Sequence, residues 1–335
     1  MSCKPTYTAN PDRYADGNMN YRQCGYSGIR LPEISLGFWW HFGGVNAYED
    51  AKAKVLYAFD HGITCFDLAN NYGPPYGSAE ETFGKIFNEN LRNHRHEMIV
   101  TSKAGYDMWP GPYGIGSSRK MLMTSLDESL HRMNLDYVDI FYSHRYDGFT
   151  PIEETMQALI DIVHSGKALY VGLSNYPADK LALAAEYLAN QHVHPLIYQG
   201  RYNMLVRNVE EKHVPLLTKL GIGFTAFSPL AEGVLSNKYI GDTSSQQHSL
   251  RNDLRPANIT PQLQVRVKAL NEIAAKRGQS LAQMATAWLL ARQSTTSVII
   301  GPRTIEHLAS SIEAIRNIRF TGEELIEIDR ILSMQ

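Results

Sequence analysis

Short apolar runs and longer amphipathic runs alternate along this chain. The apolar runs, rich in Ile, Val, Phe and Leu, fall at residues 34–39, 64–69, 98–104, 138–144, 169–174, 196–199, 224–228 and 297–301, which predicts eight strands. Between them, residues 47–61, 118–133, 152–165, 177–190 and 210–220 carry apolar positions at helical spacing, each run long enough to be a crossover helix. The last interval holds two helical runs, 262–277 and 280–292, the second opening on Ser280 as an N-cap. Ahead of the first strand, residues 21–24 and 29–31 read as a β-hairpin turning through Gly25 to Gly28. Parallel strands need such helical crossovers, and no linker divides the chain. The pattern therefore predicts an α/β protein, a (β/α)8 TIM barrel in one domain over residues 1–335 with an N-terminal hairpin and extra helices. A doubly wound sheet is the second arrangement the alternation allows. Residues 240–260, rich in Ser, Gln, Asn and Asp, read as a lid or belt loop.

Composition narrows the ligand more than the fold. A net charge of -2 gives no electrostatic reason to expect nucleic acid or an anionic membrane as partner, and a small soluble ligand is expected instead. Cys3, Cys24 and Cys65 are odd in number and scattered, which suits a reducing compartment. Cys65 shares strand parity with Asp67 and is expected to pack inside. No segment near Met1 resembles a signal core and none approaches the ~20 apolar residues of a membrane span, so a cytoplasmic enzyme is expected. Three motifs are set aside. Residues 221–226 fit G-x-G-x-x-A but enter a strand, whereas a dinucleotide fingerprint leaves one. The basic run 92–96 lacks interleaved aromatics, and His192 with His194 lacks further ligands, so no metal is expected.

The candidate chemistry lies where strands end. Asp67, Lys103 and His144 close the second, third and fourth apolar runs, and Tyr72 follows Asp67 in a loop with Gly73, Pro74 and Pro75. In a barrel these groups share the carboxyl end, where the chemistry of this architecture sits. A carboxylate pairs with the lysine, the ammonium lowers the pKa of the tyrosine, and a neutral histidine holds a carbonyl oxygen, a set able to protonate a carbonyl. Ser174 with Asn175, Gln199 and Ser228 end the next three strands in polar groups as well. Taken alone, Asp67 and Lys103 also fit a structural ion pair at the barrel mouth, and the amides fit caps. Trp39, Trp40 and Trp109 read as either packing or pocket wall, and Arg145 as either a phosphate ligand or a solvated charge.

At these residues the chain resembles the aldo-keto reductase superfamily, over about residues 21–331. Asp67, Tyr72, Lys103 and His144 match the positions of its catalytic tetrad. The resemblance implies NADPH-dependent reduction of small aldehydes, with Tyr72 as general acid, Lys103 held by Asp67, and His144 donating to the carbonyl oxygen. It also implies cofactor contacts from Trp39, Ser174, Asn175, Gln199, Ser228, Pro229, Leu230, Gly233 and Lys238. Where the family has a Ser or Thr after the last strand and a later Glu-Asn pair, this chain has Gly301, Pro302, Arg303 and Thr304, then Ser310 and Ser311. Gly301, Arg303 and His307 at a helix start still make an anion site for an adenosine phosphate. Residues 104–113 and 70–75 resemble bacterial L-glyceraldehyde 3-phosphate reductases, relatives of the potassium-channel β subunits that residues 116–120 also resemble. That implies L-glyceraldehyde 3-phosphate and methylglyoxal as substrates, with Trp39, Trp109 and Arg145 around them, and a homo-oligomer of four or more subunits. A nicotinamide-binding regulatory subunit is the alternative, but the channel proteins carry Asn at the fourth tetrad position, where this chain has His144. A Schiff-base aldolase using Lys103 ranks third, because a lysine paired with Asp67 is a poor nucleophile.

Overall fold

Eight strands close into a barrel in the computed structural model, which describes residues 7–239 and 259–334. A two-stranded antiparallel hairpin, β1 (Tyr21–Gln23) with β2 (Arg30–Pro32), precedes them. The barrel strands are β3 (Ile34–Gly37), β4 (Cys65–Asp67), β5 (Ile99–Ala104), β6 (Val138–Ser143), β7 (Ala168–Ser174), β8 (Pro195–Arg201), β9 (Gly223–Phe227) and β10 (Ser297–Ile300). All neighbours pair in parallel, in chain order, and β10 returns to β3. This is the (β/α)8 barrel and not the doubly wound sheet. Most of the loop expected at 240–260 lies outside the described residues.

Helices α1 (Tyr48–Asp60), α2 (Ser78–Ile86), α3 (Arg119–Met133), α4 (Ile152–His164), α5 (Ala178–Asn190) and α6 (Val209–Leu220) connect successive strands. The interval between β9 and β10 holds α7 (Pro261–Lys276) and α8 (Leu281–Leu290), and α9 (Ile305–Glu313) and α10 (Gly322–Leu332) follow the barrel. Ser280 caps α8 in a reciprocal capping box with Gln283, as its position before the apolar run suggests. Helix α2 is absent from the amphipathic runs named above. It starts behind Gly77 at φ 87° and is nine residues long, too short for its period to stand out.

The amino-terminal end of the barrel is closed. Cys24 and Leu31 of the hairpin form one buried apolar cluster with Cys65, Ile140, Tyr142, Leu196 and Ile197 from the strands. Cys65 therefore packs inward, on the same side as Asp67, as strand alternation requires. The hairpin turn touches the chain before β9: Tyr26 N donates to Gly221 O at 2.8 Å. A Cβ on Gly25, whose φ is 55°, would collide with that same carbonyl. With this end plugged, the strand-end groups at the other rim face the open mouth.

The alternation of β5 shows how the fold supports that rim. Ser102 points outward and donates to Glu80 of α2 at 2.6 Å, and the fully buried Glu80 pairs with Arg132 of α3 at 2.8 Å. Thr101 and Lys103, one position to either side, point into the barrel. The buried Glu80 cluster thus fixes the strand that carries the lysine.

Candidate active site

Lys103 is fully buried, and its ammonium meets three acceptors: Asp67 Oδ2 at 2.8 Å, Leu68 O at 2.6 Å and Tyr72 Oη at 3.4 Å. Three acceptors use the three N–H bonds of an ammonium. Burial pulls the Lys103 pKa below its ordinary value, and the Asp67 charge offsets only part of that shift. Asp67 is saturated in turn, since its Oδ1 accepts from Thr101 Oγ1 and from Gln199 Nε2, both at 2.9 Å. The backbone at these positions stays tied beyond the strand ends, with Phe38 N donating to Asp67 O at 3.0 Å and Asn70 N to Lys103 O at 3.0 Å.

Tyr72 and His144 complete the cluster, their ring centroids 5.9 Å apart. Burial first, then the Asp67 charge and Tyr106, hold the Tyr72 phenol well above its ordinary value. The sequence led us to expect a lowering by Lys103. The direction is opposite because desolvation dominates and the lysine charge is answered by Asp67. The phenol is thus protonated throughout the neutral range, and because Lys103 donates to its oxygen, its own hydrogen is left for another acceptor. His144 is neutral for a related reason: burial, then the charges of Lys103 and Arg145, push its pKa well below the usual value. Its Nδ1 is buried without a hydrogen-bond partner among the described residues.

Two of the three residues expected to surround a substrate reach this cluster. Trp39 is 42% exposed with its ring 6.4 Å from that of Tyr72. Arg145 lies beside His144, its Nε donating to Gly105 O at 3.1 Å and its guanidinium 4.7 Å from the Tyr106 ring. Trp109 sits in the loop after β5 and makes no ring contact with Tyr72 or His144 among the described residues. Tyr106, three residues earlier, stands against His144 instead, at 4.6 Å and 90°. Sequence reasoning passed over Tyr106. Its place immediately after Gly105 at the end of β5 is the signal that could have found it.

The groups expected to hold a cofactor line the rim from β7 to β10. Asn175, at φ 54°, donates to His144 O at 3.2 Å and to Ser174 Oγ at 3.0 Å, so it ties the ends of β6 and β7. Gln199 spends its amide N–H on Asp67, which makes it part of the tetrad network. Ser228, Pro229 and Leu230 lead into a turn of left-handed residues, Ala231, Glu232 and Gly233, and a side chain on Gly233 would meet nothing within 4 Å among the described residues. Lys238 lies in the turn Asn237–Tyr239. Beyond β10, Gly301 faces open space, Thr304 caps α9 by accepting from His307 N at 3.4 Å, and Arg303 and His307 are exposed at that helix start. Lys54 bridges to this region, donating to His41 O at 3.0 Å and to Pro302 O at 3.4 Å, with burial bringing its pKa down to about 8. No helix among the described residues is long and apolar enough to cross a membrane.

The family model described as aldo/keto reductase family matches residues 33–333, which include every barrel strand and every residue of the candidate site. The chain is 49% identical over 330 residues, 97% of its length and 95% of the relative's, to L-glyceraldehyde 3-phosphate reductase of Escherichia coli K12. It is 36% identical over 307 residues to a probable voltage-gated potassium channel subunit beta of Arabidopsis thaliana, covering 89% of this chain and 91% of that one. A rice protein of the same description is 34% identical over 318 residues, covering 92% and 95%. A closed barrel with an acid, a lysine, a tyrosine and a histidine at its carboxyl rim and a family match over nearly its whole length make this chain a member of the aldo/keto reductase family.

Proposed function

We propose that this protein reduces small aldehydes to alcohols with NADPH, and that Tyr72 supplies the proton. The carrying observation is the buried Lys103, which holds Asp67 on one side and reaches the Tyr72 oxygen on the other. That contact lowers the cost of the tyrosinate left after proton transfer. His144, neutral and with its ring beside that of Tyr72, holds the carbonyl oxygen against Tyr72. A bound reduced nicotinamide supplies the hydride. Because both groups keep one protonation state near neutrality, kcat/KM for reduction should be flat there. His144 gains a proton only on the acid side, below the usual ~6.5, and Tyr72 loses one only above ~10. A pH–rate profile with an ionisation between 7 and 9 would contradict these roles.

The residues present fit such a cofactor. Trp39, Ser174 and Asn175, with the amide oxygen of Gln199, offer an aromatic face and polar groups for a carboxamide. The side-chain-free space at Gly233 suits a pyrophosphate with Ser228, Pro229, Leu230 and Lys238 around it. The amino-terminal end of α9, with Arg303 and His307 beside it, suits a 2′-phosphate. NADPH is therefore expected to bind about ten- to a hundredfold more tightly than NADH, the magnitude of a charge-assisted contact. Fluorescence titration of both nicotinamides on the wild type and Arg303→Ala checks this. The variant should weaken NADPH alone, and equal weakening of both would remove Arg303 from the phosphate site.

For the aldehyde we propose L-glyceraldehyde 3-phosphate, with methylglyoxal as a second substrate. Similarity to a protein of the first activity supports this, as does a cation next to His144. Arg145 uses one N–H on Gly105 O and keeps the rest of its five for an anion. Arg145→Ala should raise KM about tenfold or more for the phosphorylated aldehyde and little for methylglyoxal. Equal losses would return Arg145 to the scaffold. Similarity to channel β subunits favours a second reading, a regulatory nicotinamide-binding subunit. Steady-state turnover on a panel of short aldehydes with both nicotinamides separates the two, since a purely regulatory subunit would show none.

A further inference from the structure

Tyr106 occupies the space between two groups that the preceding reading assigns to different ends of a substrate. Its ring stands perpendicular to His144 at 4.6 Å, and the Arg145 guanidinium lies over it at 4.7 Å. His144 and Arg145 are consecutive residues after β6, whereas Tyr106 comes from the loop after β5, so the contact is made across strands. Gly105 allows it. At φ 153° a side chain there would crowd His144, its Cβ only 3.1 Å from that of the histidine.

The Tyr106 hydroxyl is the unexplained part. The side chain is half-buried, and no described residue hydrogen-bonds its oxygen. Burial raises its pKa, so it carries its proton at neutral pH and can donate. Tyr72 and Tyr106 both set their rings against His144, at 5.9 Å and 4.6 Å. Tyr72 and His144 mark where an aldehyde oxygen sits, and Arg145 marks where a terminal anion sits. In a three-carbon substrate only C2 lies between them, and Tyr106 is the side chain that touches both His144 and Arg145.

We propose that Tyr106 is a specificity-determining residue whose hydroxyl hydrogen-bonds the oxygen on the carbon next to the aldehyde, selecting 2-oxygenated short aldehydes. Its ring serves as the platform that sets Arg145 relative to His144. The proposal rests on the reductase reading above. It is tested by kcat/KM with NADPH for lactaldehyde and for propanal, which differ only in the hydroxyl on C2. The wild type should prefer lactaldehyde. Tyr106→Phe, which removes one oxygen and leaves the ring, should lower kcat/KM for lactaldehyde about tenfold and leave propanal within about twofold. Tyr106→Leu, which removes the platform too, should in addition raise KM for glyceraldehyde 3-phosphate. No preference in the wild type, or equal losses on both aldehydes in Tyr106→Phe, would overturn the hydroxyl's role, and an unchanged KM in Tyr106→Leu would overturn the ring's. A wild type that reduces neither of these aldehydes nor glyceraldehyde 3-phosphate would instead remove the reductase reading itself, a result distinguishable from the others because no variant is needed to see it, whereas turnover of glyceraldehyde 3-phosphate alone would overturn the hydroxyl's role.

Discussion

Replacing Tyr72 by Phe should lower the turnover of aldehyde reduction by ~10² or more, the usual cost of losing a general acid, while nicotinamide affinity stays nearly constant. The reason lies in where the phenol's hydrogen is free to go. Lys103 donates to the Tyr72 oxygen at 3.4 Å and burial keeps the phenol protonated, so the O–H is the one acidic hydrogen the cluster can direct outward. His144 is neutral and Lys103 is spent on three acceptors. The substitution should hardly disturb the fold, because Lys103 keeps Asp67 and the Leu68 carbonyl. Single-turnover and steady-state rates, set beside a fluorescence titration of NADPH, test this. A variant that keeps most of its turnover would take Tyr72 out of the acid role.

The barrel was legible because its strands are short, apolar and separated by helical runs, a pattern that survives without any tertiary information. Each of the eight apolar runs contains or overlaps a barrel strand, and the differences are at the edges: the run 64–69 becomes Cys65–Asp67, and His144 falls one residue past β6. Edges blur because the ladder's hydrogen bonds continue past the strands, as His144 N to Ala104 O does at 2.9 Å. Asp67, Tyr72, Lys103 and His144 could be grouped from sequence because polar groups at successive strand ends must meet at one rim. What the sequence concealed were relations between neighbours at that rim. Thr101 and Gln199 donate to the same carboxylate oxygen, and nothing in their local sequence says which way their side chains turn. Tyr106 and Trp109 are both aromatics in one loop, and only the path of that loop decides which meets His144. The direction of the Tyr72 shift was hidden too, because it depends on depth of burial, which a strand pattern does not give.

The second large effect concerns the ion pair itself. Asp67 and Lys103 are both buried, 2.8 Å apart, and removing either partner leaves a charge in the barrel, a change that typically costs about 3–5 kcal/mol of stability. Asp67→Ala should be the worse of the two. It leaves the ammonium with one carbonyl and a phenol oxygen at 3.4 Å, whereas Lys103→Met leaves the carboxylate with two donors, Thr101 and Gln199. Combining the two changes should cost less than the sum of the singles by at least about 1 kcal/mol, since the double variant strands no charge. The pH dependence has a definite sign. Burial already lowers the Lys103 pKa, and without Asp67 the largest opposition to that shift is gone. Between this depressed folded value and the ~10.4 of the unfolded chain, the unfolded state binds more protons, so Asp67→Ala should gain stability as pH rises through that window. Urea unfolding of the wild type, both singles and the double, at neutral pH and at about pH 9, reads both effects. Strict additivity, or an Asp67→Ala midpoint that falls as the pH is raised, would mean that Lys103 is not held in the barrel as a charge that depends on Asp67.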